Sequence, residues 1–310
     1  MKFGVIIVTY NRLELLKECI RCVRSQTVPF SHICVVDNHS TDGTDRWLDE
    51  ILPDCPQLSV HRMKENLGGA GGFSYGLSRL SETDCDWCLI IDDDAMIAPD
   101  YIEEIEKAIL RTDYLAFSGT VKTAGKIDTS HRRILKNPYL MLYDPVPETA
   151  YEKPSFEYHI STFCGLLLSA GLIREIGLPR TDYFIWFDDT EYCLRFQKQT
   201  KILNVNTALL DHRTTPASQG PLVTWKNYYG FRNSIDIGKT YSLCPPLYMA
   251  YIVTNHLTHI VLDSLSLLIR KNQPEKRLRI QIYRDVLKGL RQKPSGRDPR
   301  YLPSPPPKQT

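Results

Sequence analysis

The chain has 310 residues, 42% of them hydrophobic, which fits one large α/β domain with an appendage or two small domains. Its net charge of +2 is unevenly distributed: residues 270–310 carry twelve Lys or Arg and three Asp or Glu, a net of +9, so the first 269 residues carry −7. The acidic body argues against a nucleic-acid binder, which only the basic end would suggest. That end predicts a negatively charged partner, and we expect no nucleic acid.

The cysteines bear on redox environment and on metal binding. There are nine, and Met1 and Lys2 lead directly into the first predicted strand, so we expect no signal peptide and reduced thiols in a cytoplasmic protein. Two CxxC pairs, Cys19/Cys22 and Cys85/Cys88, could suggest zinc. They lie in a helical pattern and before a strand, whereas zinc knuckles occupy turns, so core packing explains them better.

The first 120 residues alternate apolar runs with helical patterns. The predicted strands are 3–10, 33–37, 58–62 and 87–94, and the predicted helices are 13–23, 44–52, 73–80 and 101–111. Repeating strand and helix units with buried strands predict a mainly parallel, doubly wound sheet with flanking helices.

The pattern is less regular after residue 120. Periodicity fades over residues 123–157, where prolines accumulate, and we predict a long insertion that shapes an acceptor site. Strands are predicted at 159–168 and 203–212, with a short helix at 172–176 between them.

Two C-terminal segments, 247–269 and 276–291, have the periodicity of amphipathic helices, and the second is strongly basic. No segment has the length and purity of a membrane span. We expect these helices either to pack on the domain or a twin subunit, or to lie on an anionic membrane surface. The Pro-rich residues 303–307 are predicted to be disordered.

Three carboxylates, Asp92, Asp93 and Asp94, close the strand at 87–94. In open α/β sheets, ligands bind beyond the carboxyl ends of the strands. Like charges gathered there raise one another's pKa values, so a cation is expected among them. Mg²⁺ or Mn²⁺ fits best, because such ions bridge carboxylates to substrate phosphates. The alternative is a solvated acidic turn.

Other strand ends carry polar residues. In the first turn, Thr9-Tyr10-Asn11-Arg12, a helix N-terminus and Arg12 could hold a diphosphate. Asp37 could accept a hydrogen bond from a base or ribose, although an isolated Asp there is more often a turn cap. Residues 66–73 contain four glycines that would let a ligand approach the backbone, or that form a flexible turn.

Two later segments complete the candidate site. The run Trp186-Phe187-Asp188-Asp189-Thr190-Glu191 could combine a sugar-stacking wall with a carboxylate base, although acids at a helix start are also favourable electrostatically. His212 ends an apolar strand. A lone His is usually structural, but near an Asp-rich site it is also a candidate ligand.

The order of these motifs resembles that of the family 2 inverting glycosyltransferases of the GT-A fold, over about residues 1–235. Residues 66–73, the Asp triplet and residues 186–192 are most similar to bacterial galactofuranosyltransferases. The segment Tyr228-Tyr229-Gly230-Phe231-Arg232-Asn233 is shared with those enzymes and with rhamnosyltransferases.

The resemblance implies roles for individual residues. The metal, Mn²⁺ or Mg²⁺, would be held by Asp92, Asp94 and His212. The base would be Asp189, with Asp188 as the alternative. The donor nucleotide would be bound by Thr9, Asn11, Arg12, Asp37, Asn66, Gly69, Gly71 and Asp93. The acceptor would be bound by Trp186 and Glu191.

The implied function is metal-dependent, inverting transfer of a sugar from a nucleotide-diphospho-sugar to a glycan or lipid-linked acceptor in bacterial cell-surface polysaccharide synthesis. The donor would be UDP-galactofuranose, or dTDP-rhamnose as the alternative. Two other classes of protein fit less well. A sugar-nucleotide pyrophosphorylase would have its glycine-rich element in the first turn, where this chain has none. A nucleotide-sugar-binding protein without catalytic activity is disfavoured because the candidate catalytic and metal-binding acids are present.

The same interpretation of the sequence predicts the domain organisation. The catalytic domain would span residues 1–235, basic helices would span 236–295 and make a membrane or oligomer contact, and a disordered tail would span 296–310. The protein would be cytoplasmic and peripheral on the inner face of the cell membrane, and a homo-oligomer is the alternative that the C-terminal helices leave open.

Overall fold

The structure is a computed structural model that describes residues 1–214 and 223–302. Its strands are β1 (Phe3–Thr9), β2 (His32–Asp37), β3 (Leu58–Arg62), β4 (Trp87–Asp92), β5 (Ala95–Ile97), β6 (Ala116–Thr123), β7 (Lys126–Ile127), β8 (Arg132–Asn137), β9 (Leu142–Pro145), β10 (Ser155–Tyr158), β11 (Ile160–Ser161), β12 (Leu166–Ser169) and β13 (Ile202–His212). Its helices are α1 (Leu13–Arg24), α2 (Thr44–Ile51), α3 (Gly68–Leu80), α4 (Tyr101–Ile109), α5 (Ala170–Ile176), α6 (Asp188–Phe196), α7 (Lys226–Tyr241), α8 (Pro245–Ile269) and α9 (Pro274–Lys288).

A central sheet runs in the order β10-β13-β6-β12-β4-β1-β2-β3. The half formed by β4, β1, β2 and β3 is parallel, which confirms the strand and helix alternation predicted for the first 120 residues. Every residue of β1 is buried, as expected for a strand covered on both faces. The carboxyl ends of these strands therefore share one edge.

The other half of the sheet changes direction. β12 lies antiparallel between β4 and β6, while β13 runs parallel to β6. The short strand β5, just after the Asp triplet, pairs antiparallel with the end of β13 and sets His212 opposite Ala95. This pairing returns a distant strand end to the edge where β4 ends.

Apolar side chains fill both faces of the sheet. On one face, Leu16 and Ile20 of α1 pack with Ile102 and Ile105 of α4. On the other face lie the buried residues of α3 and α6, among them Phe73, Leu77, Tyr192 and Phe196. All nine cysteines are free thiols in the described chain, and seven of them are buried, in keeping with the predicted core role.

The region after residue 120 differs from its prediction. The insertion at 123–157 contains a hairpin, β8 and β9, which pairs with β11 in a second, small sheet. The strand predicted at 159–168 is divided, because β11 joins this small sheet and β12 joins the central one. Gly165 lies between them with φ of +82°, a left-handed conformation that favours glycine and turns the chain.

The C-terminal boundaries also differ from their prediction. α7 runs across the expected boundary at residue 235, so the catalytic part and the C-terminal helices share one helix. Tyr301 is 1% exposed and its ring stacks on that of Tyr228, at 4.2 Å between centroids. The chain up to residue 302 is thus packed on α7 rather than disordered, and residues 303–307 lie outside the described part.

α8 is long and apolar enough, by length and composition, to cross a membrane, contrary to the expectation that no segment is. Of its most apolar stretch, 11% is buried. The helix packs on α7 and α9 through one side only.

Candidate active site

The first turn and the Asp triplet meet at the shared strand edge. The hydroxyl of Thr9 donates a hydrogen bond to Asp93 at 2.7 Å. Arg12 Nη1 lies 3.0 Å from Asp93 Oδ1 and 2.5 Å from Asp94 Oδ2. One guanidinium thus bridges two of the three carboxylates, which provides the cation that their crowding requires.

The three carboxylates differ in their electrostatics. Burial, followed by the charges of Asp94 and Asp93, raises the pKa of Asp92 to about 7. Burial raises the pKa of Asp93 to about 6, although Arg12 opposes that shift. For Asp94, burial is outweighed by the hydrogen bond from His212 and the charge of Arg12, so its pKa is lowered. Asp94 is therefore the carboxylate that stays ionised most readily.

His212 approaches Asp94 from the end of β13. Its Nε2 lies 3.3 Å from Asp94 Oδ1, and the backbone N–H of Arg213 donates to the Asp94 carbonyl at 2.8 Å. Burial lowers the pKa of His212, but its hydrogen bond with Asp94 and that residue's charge outweigh burial and raise it. The structure thus brings two of the three predicted metal ligands together.

Asp94 and His212 present atoms that could bind a divalent cation. His212 Nδ1 is buried without a hydrogen-bond partner in the described chain, and the buried Asp94 Oδ1 has only His212 Nε2 near it, at 3.3 Å and poorly aligned. A carboxylate oxygen and an imidazole nitrogen are ligands that Mn²⁺ accepts. Within residues 1–214 and 223–302, however, no three His, Cys, Asp or Glu side chains are grouped as a metal site. A cation there would complete its shell with diphosphate oxygens and water.

The second strand end forms a closed network beside the first. Asp37 is 2% exposed and accepts a hydrogen bond from the backbone N–H of Ser40 at 2.9 Å, as a turn cap does. Asn11, with φ of 53°, accepts from the backbone N–H of Thr41 at 2.7 Å. These two predicted donor ligands hold adjacent loops, and this turn role is the alternative that the sequence left open for Asp37.

The glycine run is helical. α3 begins at Gly68, not after the glycines, and Asn66 Oδ1 accepts from the Gly68 N–H at 2.8 Å. A side chain at Gly72 or Gly76 would come within 2.6 Å or 2.4 Å of β1 side chains. Close packing of α3 on β1 therefore explains these glycines. At Gly69 a Cβ would meet only ordinary contacts, while at Gly71 it would meet the side chain of Leu67.

The start of α6 follows a strained loop. Phe184, Trp186 and Phe187 have φ of 66°, 64° and 68°, a left-handed conformation that bulky residues rarely adopt. Asn233 of α7 is fully buried, and its amide nitrogen lies 3.0 Å from the carbonyl oxygen of Tyr183 and 2.8 Å from that of Trp186. Arg232 also donates to the carbonyls of Asp182 and Tyr183, at 3.0 Å and 2.9 Å, so two neighbouring residues of α7 hold the loop that leads into the two acids.

Asp188 and Asp189 differ in exposure. Asp188 is 6% exposed, and burial, followed by the charge of Asp189, raises its pKa well above the usual range, with a smaller contribution from Asp92. Asp189 is partly exposed, and its Oδ1 accepts hydrogen bonds from the N–H and hydroxyl of Thr190. Asp188 is therefore buried within range of the Asp92 charge, and Asp189 is the more accessible carboxylate.

The two predicted acceptor residues differ in their exposure. Trp186 is 41% exposed beside α7, where its ring leaves room only for Gly230. Glu191 is 3% exposed, and its carboxylate accepts hydrogen bonds from Arg195 at 2.5 Å and from the hydroxyl of Tyr241 at 2.7 Å. Its acceptor assignment is corrected on this ground, because one oxygen is bound by Arg195 of the same helix and the other by Tyr241 of α7.

Other residues near the site were not predicted. His131 packs its ring edge-on to that of His212, with 5.0 Å between centroids, and hydrogen bonds Thr162 through Nδ1 at 2.7 Å. Burial, followed by the charge of Arg12, lowers the pKa of Lys226, which the charges of Asp92 and Asp94 oppose. Lys226 thus belongs to the same electrostatic cluster. Neither residue carries a motif, so only the tertiary structure reveals them.

Comparison with known proteins assigns the family. Residues 4–177 match the family model described as Glycosyl transferase family 2, which is more than half of the chain. The chain belongs to glycosyl transferase family 2. The membership confirms the family to which the motifs were compared.

Two curated relatives match parts of the chain. An undecaprenyl-phosphate mannosyltransferase of Micrococcus luteus is 34% identical over 125 residues, which are 39% of this chain and 49% of that protein. The galactofuranosyltransferase GlfT1 of Mycolicibacterium smegmatis is 36% identical over 90 residues, 29% of this chain and 28% of that protein. The chain therefore matches half or less of the length of these relatives.

The solved structures support the fold. The crystal structure of GalNAc-T7 with UDP, GalNAc and Mn²⁺ has a TM-score of 0.65 at 14% identity, covering 94% of this chain and 56% of that one. At this identity the likeness concerns the fold alone. Together with the family match, it confirms the predicted GT-A fold with added C-terminal helices.

Proposed function

We propose that this chain is an inverting glycosyltransferase that moves a sugar from a nucleotide-diphospho-sugar to a glycan or lipid-linked acceptor. The observation that carries the proposal is the meeting of Asp94, His212 and Arg12 at the strand edge, with Asp188 of α6 within range of the Asp92 charge. Such a cluster can bind a diphosphate on one side and activate a hydroxyl group on the other.

We assign the diphosphate to Arg12, Lys226 and the Asp94–His212 pair. Arg12 is 44% exposed although it bridges two carboxylates, so its outer N–H groups are available to phosphate oxygens. Asp94 and His212 would hold a divalent cation, Mn²⁺ or Mg²⁺. When bound, that cation supplies neutralisation of the charge that grows on the leaving diphosphate. Thr9 and Asp93 keep Arg12 in position.

We assign the base to Asp189. Its partial exposure lets it meet an acceptor hydroxyl group, and the N–H of Thr190 orients it. Removing the hydroxyl proton as the diphosphate leaves contributes about 10²–10⁴-fold to such reactions. A single displacement inverts the anomeric carbon. Asp188 is a weaker candidate, because its raised pKa favours the protonated form. Trp186 would stack on the acceptor.

The experiment that separates the two acids compares Asp189→Asn with Asp188→Asn. We expect Asp189→Asn to abolish transfer and to keep nucleotide affinity, while Asp188→Asn retains measurable turnover. Normal turnover by Asp189→Asn would remove the base assignment. NMR of the product's anomeric configuration tests inversion independently.

We propose UDP-galactofuranose as the donor, and dTDP-rhamnose is the alternative. The partial match to a galactofuranosyltransferase supports the first choice. Thermal-shift titration with UDP and dTDP, each with and without Mn²⁺, tests it. Stabilisation by UDP that requires Mn²⁺ supports the proposal, a preference for dTDP favours rhamnose, and no response to either nucleotide would contradict a transferase. Because the relatives include an undecaprenyl-phosphate mannosyltransferase, we also propose that the protein works at the inner face of the cell membrane.

A further inference from the structure

α8 packs with its polar stripe inward. His256 is 2% exposed between the rings of Phe231 and Tyr283, at 5.3 Å and 4.4 Å between centroids. Asp263 is 3% exposed, and its two oxygens bind Nε and Nη2 of Arg279, each at 2.6 Å. The polar side of the helix thus packs against α7 and α9, and its apolar side faces outward.

The outward side of α8 forms a mainly apolar surface, interrupted by the exposed Thr254 and Thr258, which we call the α8 face. At 100° per residue, its exposed leucine, isoleucine and valine residues span an arc of about 140°. The only charged residue between Pro245 and Ile269 is the buried Asp263, so the α8 face carries no charge. Its most exposed members, each about half exposed or more, are Leu247, Leu257, Val261, Leu262, Leu265, Leu268 and Ile269. An apolar patch of this extent marks an interaction surface.

A basic groove borders the α8 face. It lies between α8 and α9, has a volume of about 530 Å³, and is lined by Ser264 and Leu267 on one side and on the other by three cations and one carboxylate, Arg277, Arg284, Lys288 and Asp285. Lys288 lies 3.7 Å from Asp285, whereas Arg284 has no carboxylate partner in the described chain and Arg277 hydrogen bonds the carbonyl of Lys271. Guanidinium groups left without carboxylates can bind phosphate.

The charge around the α8 face identifies its partner. Residues 270–293 contain nine Lys or Arg and two Asp or Glu. A second copy of this chain would bring two such basic segments together, where like charges repel. An anionic bilayer instead offers acyl chains to the apolar residues and phosphates to the cations.

We propose that the α8 face and the adjoining groove form a docking site for an anionic phospholipid bilayer. α8 lies in the plane of the interface with its leucines among the acyl chains. Arg277, Arg284 and Lys288 bind headgroup phosphates in the groove. This inference adds a specific surface to the proposed membrane location, and it concerns binding only, so it does not depend on the donor or the reaction.

Vesicle flotation of the full chain tests the proposal. The vesicles contain phosphatidylcholine alone, or phosphatidylcholine with 30 mol% phosphatidylglycerol, a fraction of about one third chosen to give the surface a strong negative potential. One variant, Val261→Asp with Leu265→Asp, breaks the α8 face, and Leu110→Asp is its control because Leu110 is 74% exposed on the catalytic domain. A second variant reverses Arg277 and Arg284 to Glu, and its control reverses the exposed Arg24 and Arg46.

We expect the wild-type chain to float with the anionic vesicles and weakly with the neutral ones. Both test variants should lose more than about tenfold in affinity, and both controls should bind like the wild type. Unchanged flotation of the test variants would overturn the proposal. So would a wild-type dimer in light scattering that the Val261 and Leu265 variant makes monomeric, if no vesicle binding accompanies it.

Nucleotide binding separates this inference from the proposed function. The substituted residues are exposed and distant in sequence from the Asp triplet, so UDP should stabilise the test variants as it does the wild type. If no nucleotide binds to any form while the flotation pattern holds, the docking site stands and the transferase proposal fails.

Discussion

Asn233 offers the sharpest test of how the fold positions the α6 acids. Its amide nitrogen lies within 3.2 Å of the carbonyl oxygens of Tyr183, Ile185 and Trp186. The two N–H donors of the amide are shared among these three carbonyls. Each hydrogen bond contributes about 0.5–1.5 kcal/mol net, so Asn233→Ala removes about 1–3 kcal/mol from the loop. The three left-handed residues of that loop store about 1–3 kcal/mol of strain each. The lost bonds are thus comparable with the strain of one of these residues.

The expected result is a loss of turnover without a loss of nucleotide affinity. If relaxation of the loop disfavours the working position of Asp189 by about 2 kcal/mol, kcat falls about 30-fold. UDP affinity should change by less than about threefold, a fraction of 1 kcal/mol, because the nucleotide would bind at the strand ends and not on this loop. Steady-state kinetics of transfer and a UDP titration measure the two quantities.

The control variant is Asn206→Ala. Asn206 also donates to two backbone carbonyls, those of Ala150 at 2.9 Å and Lys153 at 2.6 Å, but it lies in β13 away from α6. Both variants should lose similar thermal stability, and only Asn233→Ala should lose kcat. An unchanged kcat for Asn233→Ala, or an equal loss in Asn206→Ala, would refute the positioning role.

Three further predictions concern charge. Lys226→Met should weaken UDP binding about tenfold and leave uridine binding unchanged, because an ionic hydrogen bond to phosphate is worth about 1.5–3 kcal/mol. Calorimetry measures both affinities, and an equal loss for UDP and uridine would contradict a phosphate contact. Asp94→Ala and His212→Ala should each abolish the Mn²⁺ dependence of UDP binding, and a retained dependence would move the cation elsewhere. Burial, followed by the charge of His259, lowers the pKa of His256 to about 4. In the unfolded chain the His256 pKa is about 6.5, so between pH 4 and 6.5 the unfolded chain binds more protons than the folded one. Lowering the pH from 7 to 5 should therefore cost about 2 kcal/mol of stability in the wild type. His256→Phe should not show this loss, and urea denaturation of both forms at the two pH values tests the prediction.

The parallel half of the fold could be predicted because its signals are local. The apolar runs of β1, β2 and β4 each end in polar residues, and parallel strands place those ends on one edge. That reasoning placed the turn that contains Arg12 and the Asp triplet at the carboxyl ends of strands, with a divalent metal as the expected cation. It could not anticipate that Arg12 bridges two of the triplet's carboxylates, because an ion pair depends on side-chain positions that spacing does not determine.

The rest of the site depends on long-range packing. His131 reaches His212 only because β8 begins beside the end of β13, and Asn233 reaches the loop before α6 only because α7 packs behind it. The glycines of α3 illustrate the opposite difficulty. Their pattern has two physical uses, close approach to a ligand and close approach of a helix to a strand, and the contacts of Gly72 and Gly76 with β1 show the second use at those two positions.

The orientation of α8 could not be predicted from the periodicity of its sequence. A helical pattern divides residues into two faces, but it does not say which face is inside. For α8 the neighbours decide: Arg279 compensates Asp263, and the aromatic rings of Phe231 and Tyr283 enclose His256. Burying this polar stripe is tolerable only because its charge is paired, since an unpaired buried carboxylate would be strongly destabilising. The leucines are left on the outside as a consequence, and they form the surface that the proposed bilayer would cover.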